Sequence, residues 1–269
     1  MISFVGAGPG APDLITLRGA QRLADADIVV WASSLVPEAV LAHARADVTI
    51  HDSATMTLED VLTVYEAHAT AAIVRLHSGD PTLYGAIQEQ IAWCVAHERS
   101  WEIVPGVSSL AAAAAAVGHE LTVPGVSQSV VMTRLAGRTS ASMPARESVA
   151  AYAALGATLA VFLSAARPGE LEAELMAAGS AFASDTPAAI VIRASWPDER
   201  VIPTTVGRLA ADLVASGATL TVLVLVGEAL RDIAPPARSH LYAPDYAHTY
   251  RKRSKPGSTT GRPVVRRPR

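Results

Sequence analysis

The chain has 269 residues, half of them hydrophobic and 17% charged, so it can bury a sizeable core and is neither disordered nor fibrous. A single cysteine, Cys94, rules out an internal disulfide, and no Cys/His cluster has the spacing of a zinc site. The formal net charge of −3 is uneven: residues 249–269 carry eight Lys or Arg and no acid, leaving 14 basic against 25 acidic groups, about −11, in residues 1–248. The N-terminus lacks the basic flank of a signal peptide, and apolar runs such as Leu110 to Val117 are far shorter than the ~20 residues of a membrane span. A soluble cytoplasmic protein without a membrane partner is expected.

In chain order, Ile2-Ser-Phe-Val5 reads as a strand entering the turn Gly6-Ala-Gly-Pro-Gly10. A helix is expected over Thr16–Asp25, a strand over Asp27–Trp31, and the loop Ala32–Val36 leads to Pro37, suited to open a helix. Val48–His51 is a third strand. Thr57 with Asp60 has the form of a capping box for a helix reaching about His68. Ala71–Leu76 is a short apolar run, expected to be a buried parallel strand, and it stops at His77-Ser78-Gly79-Asp80-Pro81. Gly79 can adopt a positive φ, Pro81 fixes its own φ, and an amphipathic helix is expected from Leu83 to His97, with Cys94 buried on it. Trp101–Val104, Pro105-Gly-Val-Ser-Ser109 and an alanine-rich helix over 110–117 complete a fifth strand–loop–helix repeat. Five such repeats imply a parallel sheet covered on both faces, with ligands beyond the carboxyl ends of the strands.

Gly118-His-Glu-Leu-Thr-Val-Pro-Gly125 breaks the pattern. A second set of strands is expected at 128–134, 157–163, 188–193 and 220–226, with helices near 148–155, 168–178 and 205–216. Arg134 to Pro144 and Ala194 to Arg200 read as loops. The expected architecture is two α/β domains, 1–118 and 119–234, with a cofactor cleft between them, and a basic tail, 235–269, without a fixed fold. A nucleic-acid role for that tail is conceivable, but such arms more often stay solvated.

Gly6-Ala-Gly-Pro-Gly-Ala11 fits the loose G-x-G-x-x-[GA] pattern of dinucleotide sites, and two features count against that reading. Pro9 and Pro12 remove N–H groups that a pyrophosphate needs. The second strand ends in Ala32-Ser33-Ser34, where an acid should hold a ribose.

The Gly6–Gly10 turn, the run 14–19, Ala26–Val30, Gly79-Asp80-Pro81 and Val104–Ser109 occur in an order that resembles the tetrapyrrole C-methyltransferases, which use S-adenosylmethionine; the resemblance covers residues 2 to about 230. Within that family, Trp31–Pro37, His51–Glu59, Arg75–Ala86 and Leu121–Arg134 are most similar to members that methylate a corrin precursor. The resemblance implies that S-adenosylmethionine lies bent in the cleft against Pro9 and Ser78-Gly79-Asp80, with Leu83 beside it. It also implicates Ser108 and Ser109 and, from the second half, Leu163 and Ala194. It implies a homodimer and a precorrin, a polycarboxylate tetrapyrrole, as the substrate partner. Uroporphyrinogen methyltransferases carry an aspartate where this chain has Ala32, so no general base is evident.

For substrate contacts, His51 and His77 end two neighbouring strands on the presumed cleft side, and Ser33 and Ser34 stand similarly. Each is otherwise an ordinary, locally hydrogen-bonded loop residue. Arg75, Arg134 and Arg138 are candidates for the substrate carboxylates. Three readings stay open: methylation of a corrin precursor, methylation of another corrin carbon or of a modified protein histidine, and a non-catalytic ligand- or nucleic-acid-binding protein.

Overall fold

A computed structural model describes residues 1–136, 143–144 and 146–232, with 239, 241, 243–244, 246–249 and 253 beyond them. Five strands form the first sheet: β1 (Ile2–Gly6), β2 (Ile28–Trp31), β3 (Thr49–Asp52), β4 (Ile73–His77) and β5 (Trp101–Val104). They pair in parallel in the order β3-β2-β4-β1-β5, as the strand–loop–helix repeats require. Every residue of β1 is buried, because both faces of the sheet are covered. One face packs Val5, Val29 and Leu76 against Leu23 of α1 (Leu17–Ala24) and against Val36 and Val40. The other packs Phe4, Val30 and Ile73 against Val61, Val64 and Tyr65 of α2 (Leu58–Ala67) and Cys94 of α3 (Gln88–Ala96).

Local chemistry sets the helix starts. Thr16 caps α1 by accepting from Gly19 N at 3.1 Å, and Thr57 and Asp60 form the capping box expected for α2. Two helices differ from expectation. The segment after Pro37 is a 3-10 turn over Glu38–His43, and α3 begins at Gln88 rather than Leu83. Tyr84 and Ala86 have φ of 59° and 50°, which no helix accommodates, so the chain between β4 and α3 folds back on Pro81 first.

The second sheet is mixed. Its strands β6 (Val130–Arg134), β7 (Thr158–Phe162), β8 (Pro187–Ile192), β9 (Arg200–Thr205) and β10 (Val222–Val226) follow the order β6-β7-β10-β8-β9. Only β6 and β7 run parallel; β10 is antiparallel to β7 and β8, and β9 to β8. β9 falls partly in a segment read from sequence as loop and helix. It contains Pro203, which an edge strand tolerates because one side of it has no ladder to complete. Helices α5 (Val149–Ala153), α6 (Pro168–Leu175) and α7 (Leu209–Ser216) cover one face through Val149, Leu171, Leu175 and Leu209.

The opposite face is covered by a helix from the first half of the chain. Ala113 of α4 (Ser109–Val117) packs, with Leu110 and Ala116, on Ala160, Ala189, Val191, Leu223 and Leu225. Alanine side chains let this helix approach the sheet closely. Gly118, at φ 77°, ends it in the left-handed conformation. No described helix is long and apolar enough to cross a membrane.

Candidate active site at the strand ends

Three loops converge where β1, β4 and β5 end. Gly8 and Gly79 form an antiparallel bridge: Gly79 N donates to Gly8 O at 2.8 Å and Gly8 N to Gly79 O at 3.3 Å. A side chain on Gly106 would lie 2.0 Å from Gly79 O, and one on Gly6 would lie 2.5 Å from the Gly106 Cα. Glycine is therefore a packing requirement at both positions.

Asp80 fastens this junction. Its Oδ2 accepts from Gly106 N at 2.9 Å, and its Oδ1 accepts from Thr82 N at 2.8 Å and from the Thr82 hydroxyl. Burial works against its charge, but the bonds from Thr82 and Gly106 prevail and hold the carboxyl below its ordinary range. Asp80 thus ties the loop after β4 to the loop after β5, a structural engagement to set beside the cofactor contact inferred from the family. Ser108 caps α4 by accepting from Leu110 N at 3.2 Å, and the Gly79 Cβ position lies 3.7 Å from Ser109 N. Ser78, Gly79, Asp80, Ser108 and Ser109 are thereby brought to one place. Leu83, half-buried, follows in the same turn, its N–H bonded to Asp80 O at 3.1 Å.

The second sheet reaches the junction through the segment after β8. Trp196 Nε1 donates to Pro9 O at 2.9 Å, and Ser195 Oγ accepts from Ala11 N at 3.0 Å. Gly10 leaves room for the indole, since a Cβ there would sit 2.2 Å from Trp196 Cδ1. The Arg193 guanidinium stacks on the same ring at 3.9 Å. Arg193 and Ser195 take positive φ of 52° and 66° on either side of Ala194, which is 6% exposed and packed in the α4 core. Leu163, just past β7, also has φ 52°, and 70% of it is exposed. Tyr84 bridges the halves from the first side, its ring 5.2 Å from Phe162. Trp196, Ser195 and Tyr84 carried no role in the sequence reading, because only the fold brings them to the glycine turn and to β7.

The glycine turn does not open a helix: a 3-10 turn follows over Pro12–Leu14 and α1 starts at Leu17, which agrees with the case against a dinucleotide site. A cavity of about 370 Å3 lies to one side, lined by residues 81–82, 84–89 and Ile103, and none of the cofactor candidates lines it.

The substrate candidates form a second group. β3 and β4 are separated by β2, so His51 and His77 do not lie on adjacent strands. Ser33 binds Asp52, its Oγ donating to Oδ2 at 2.6 Å and its N to Oδ1 at 3.2 Å, while Ser34 is exposed. The bond from Ser33 holds the Asp52 carboxyl below its usual range, which makes it a poor base. His77 is 7% exposed, and burial, helped by Arg75, pushes its imidazole down to about 3, so it is neutral at pH 7. Arg134 ends β6, and Arg138 lies outside the described residues. No group of acidic, His or Cys side chains able to hold a metal occurs among the described residues.

A parallel α/β half and a mixed α/β half, joined over glycine-lined strand ends, define a two-domain α/β fold. Residues 1–210 match the family model for tetrapyrrole (corrin/porphyrin) methylases, and the chain belongs to that family. It is 40% identical over 256 residues to a cobalt-precorrin-4 C(11)-methyltransferase of Methanocaldococcus jannaschii, covering 94% of this chain and 97% of that one. It is also 40% identical over 252 residues to a precorrin-4 C(11)-methyltransferase of Pseudomonas aeruginosa, covering 93% and 98%. Among solved structures, a cobalt precorrin-4 methyltransferase of cobalamin biosynthesis superposes with TM-score 0.81 at 38% identity, over 86% of this chain and 95% of that one. A uroporphyrin-III C-methyltransferase from Thermus thermophilus, complexed with S-adenosylhomocysteine, has TM-score 0.70 at 26% identity, over 88% and 97%.

Proposed function

We propose that this protein is an S-adenosylmethionine-dependent methyltransferase that methylates C11 of precorrin-4, or of its cobalt complex, in cobalamin biosynthesis. The observation that carries this reading is the likeness, over nearly the whole of both chains, to enzymes bearing that name. A uroporphyrinogen reading is less well supported: a uroporphyrinogen-III C-methyltransferase of Pseudomonas aeruginosa is 33% identical, against 40% for the precorrin-4 enzymes.

The strand-end junction suits the cofactor. Gly6, Gly79 and Gly106 let backbone approach closely and Leu163 offers an exposed apolar side chain; we assign Pro9, Ser78, Gly79, Asp80, Leu83, Ser108, Ser109, Leu163 and Ala194 to the cofactor on the strength of the family resemblance. When bound, S-adenosylmethionine supplies a methyl group on a sulfonium. The protein's part is then to align an electron-rich substrate carbon and to keep water away. Trp196 and Tyr84 hold the halves together over this space, and no described side chain there is tuned as a general base. We further propose a cytoplasmic homodimer, a state that sedimentation at micromolar concentration checks.

The test is incubation with labelled S-adenosylmethionine and either precorrin-4 or cobalt-precorrin-4, with the methylated carbon assigned by NMR. Label at C11 is expected. Label at another corrin carbon would move the protein within its family, and cofactor binding without transfer to either substrate would leave a ligand-binding protein.

A further inference from the structure

The side chain of Arg75 enters the layer between the first sheet and helices α2 and α3. It points to the same face as Phe4 and Val30, its register partners in β1 and β2. Its Nη1 is used by the fold, donating to Val30 O at 3.2 Å and to Ser53 Oγ at 3.0 Å. Ser53 Oγ in turn donates to Trp31 O at 3.2 Å, so the guanidinium is fixed to the carboxyl ends of β2 and β3. The other edge is open. Nε is buried with no hydrogen-bond partner, Nη2 has none among the described residues, and no described carboxylate pairs with the group. Nε and Nη2 form the fork that takes a carboxylate through two parallel N–H···O bonds.

A half-buried cation with no carboxylate beside it is costly to hold. Burial accordingly lowers the Arg75 pKa, offset only in part by the Tyr65 phenol, and no described carboxylate pairs with it. Two further orphan nitrogens occur on the same face. His51 shares with Arg75 the register partner Val30, and His77 follows Arg75 two residues along β4; the Nε2 of each is buried without a partner. Three side chains on one sheet face thus each carry a buried nitrogen without a hydrogen-bond partner among the described residues, donors that an anion would satisfy. Arg75 itself is only half-buried, so the tier is not sealed.

The geometry points to Arg75 as the anchor for one carboxylate of the tetrapyrrole substrate, gripped by the Nε–Nη2 fork, with the unpartnered ring nitrogens of His51 and His77 completing the subsite. This rests on the functional reading above and names its substrate-recognition residue.

The test compares wild type with Arg75→Met and Arg75→Lys, assaying methyl transfer to precorrin-4, calorimetric affinity for S-adenosylhomocysteine, and melting temperature. Arg75→Met is expected to raise KM for precorrin-4 at least tenfold, with kcat within threefold of wild type. S-adenosylhomocysteine affinity is expected within twofold, and melting temperature at or above wild type because an unpaired buried charge is gone. Arg75→Lys keeps the charge but not the fork, and its KM should still rise at least tenfold. Wild-type KM in both variants overturns the assignment, whether or not melting temperature falls. Weakened S-adenosylhomocysteine with an unchanged KM also overturns it, and reassigns the anion to the cofactor's own carboxylate. If Arg75→Met fails to fold, Arg75→Lys decides by the same criterion. If only the cobalt complex of precorrin-4 is methylated, the same KM comparison is made with it. If wild type methylates neither precorrin-4 nor cobalt-precorrin-4, the functional reading fails by itself. The subsite is then tested by fluorescence quenching with uroporphyrin and its octamethyl ester. Selective loss of the free acid in Arg75→Lys supports it, and equal behaviour of acid and ester overturns it.

Discussion

Replacing Asp80 by alanine removes a carboxylate that accepts three hydrogen bonds: from Thr82 N, from the Thr82 hydroxyl and from Gly106 N. Bonds to a charged acceptor are each worth about 1.5–3 kcal/mol. Two of the three share one partner residue, and the group is only half-buried, so they do not add fully. A net loss of about 2–4 kcal/mol in unfolding free energy is expected for Asp80→Ala. Asp80→Asn can keep the oxygen towards Thr82 only by turning its NH2 towards Gly106 N, and should lose about half as much. Because the Gly106 loop leads directly to Ser108 and Ser109, S-adenosylhomocysteine affinity should fall together with stability. Urea unfolding at pH 7 and calorimetric titration, run on the same two variants, give both quantities. The sign of the pH dependence is also fixed. The folded-state pKa is depressed, so the contribution of Asp80 is complete above the unfolded carboxyl value of about 3.9 and disappears as pH falls through the folded value. Stability within about 0.5 kcal/mol of wild type, alongside weakened cofactor binding, would refute this reasoning and make Asp80 a ligand contact first.

His77 gives a second pH signature. Below about 6.5 the unfolded chain takes up a proton that the folded chain refuses until about 3, so stability should fall across that window by up to about 1.4 kcal/mol per pH unit. His77→Gln should flatten the slope measured by urea unfolding at pH 4–7, and a slope equal to wild type would show the imidazole is not the cause. Trp196→Phe keeps an aromatic ring beside Gly10 but loses the donor to Pro9 O, and should cost about 1 kcal/mol and weaken S-adenosylhomocysteine severalfold. Unchanged affinity in that variant would mean the strap between the halves does not shape the cofactor space.

Much of the first half was legible because its determinants are local. A capping Thr57 and Asp60, apolar runs of strand length and glycine-rich stops each act within a few residues, and repetition turned them into a parallel sheet. β9 was hidden because Pro203 argues against a strand until the strand is known to lie at an edge. The start of α3 was misplaced because apolar periodicity from Leu83 onward says nothing of the positive φ at Tyr84 and Ala86, which packing against Pro81 imposes. The loops of the site could be named, but not how they meet. That Asp80 serves Gly106, 26 residues away, and that Trp196 serves Pro9, 187 residues away, are long-range facts that neither spacing nor composition encodes.

Helix α4 has a consequence for how the molecule is made. It leaves the ribosome as the last element of the first half, yet its alanine face is completed only by strands β7, β8 and β10. Until those strands arrive, the nascent first half displays a sticky helix with nothing to cover it, a natural docking point for the later sheet and a hazard if synthesis stalls. A gene split at the Gly118 turn would inherit the same difficulty: one fragment with an uncovered helix, the other with the bare apolar face of a sheet. The two pieces should stay soluble only when produced together.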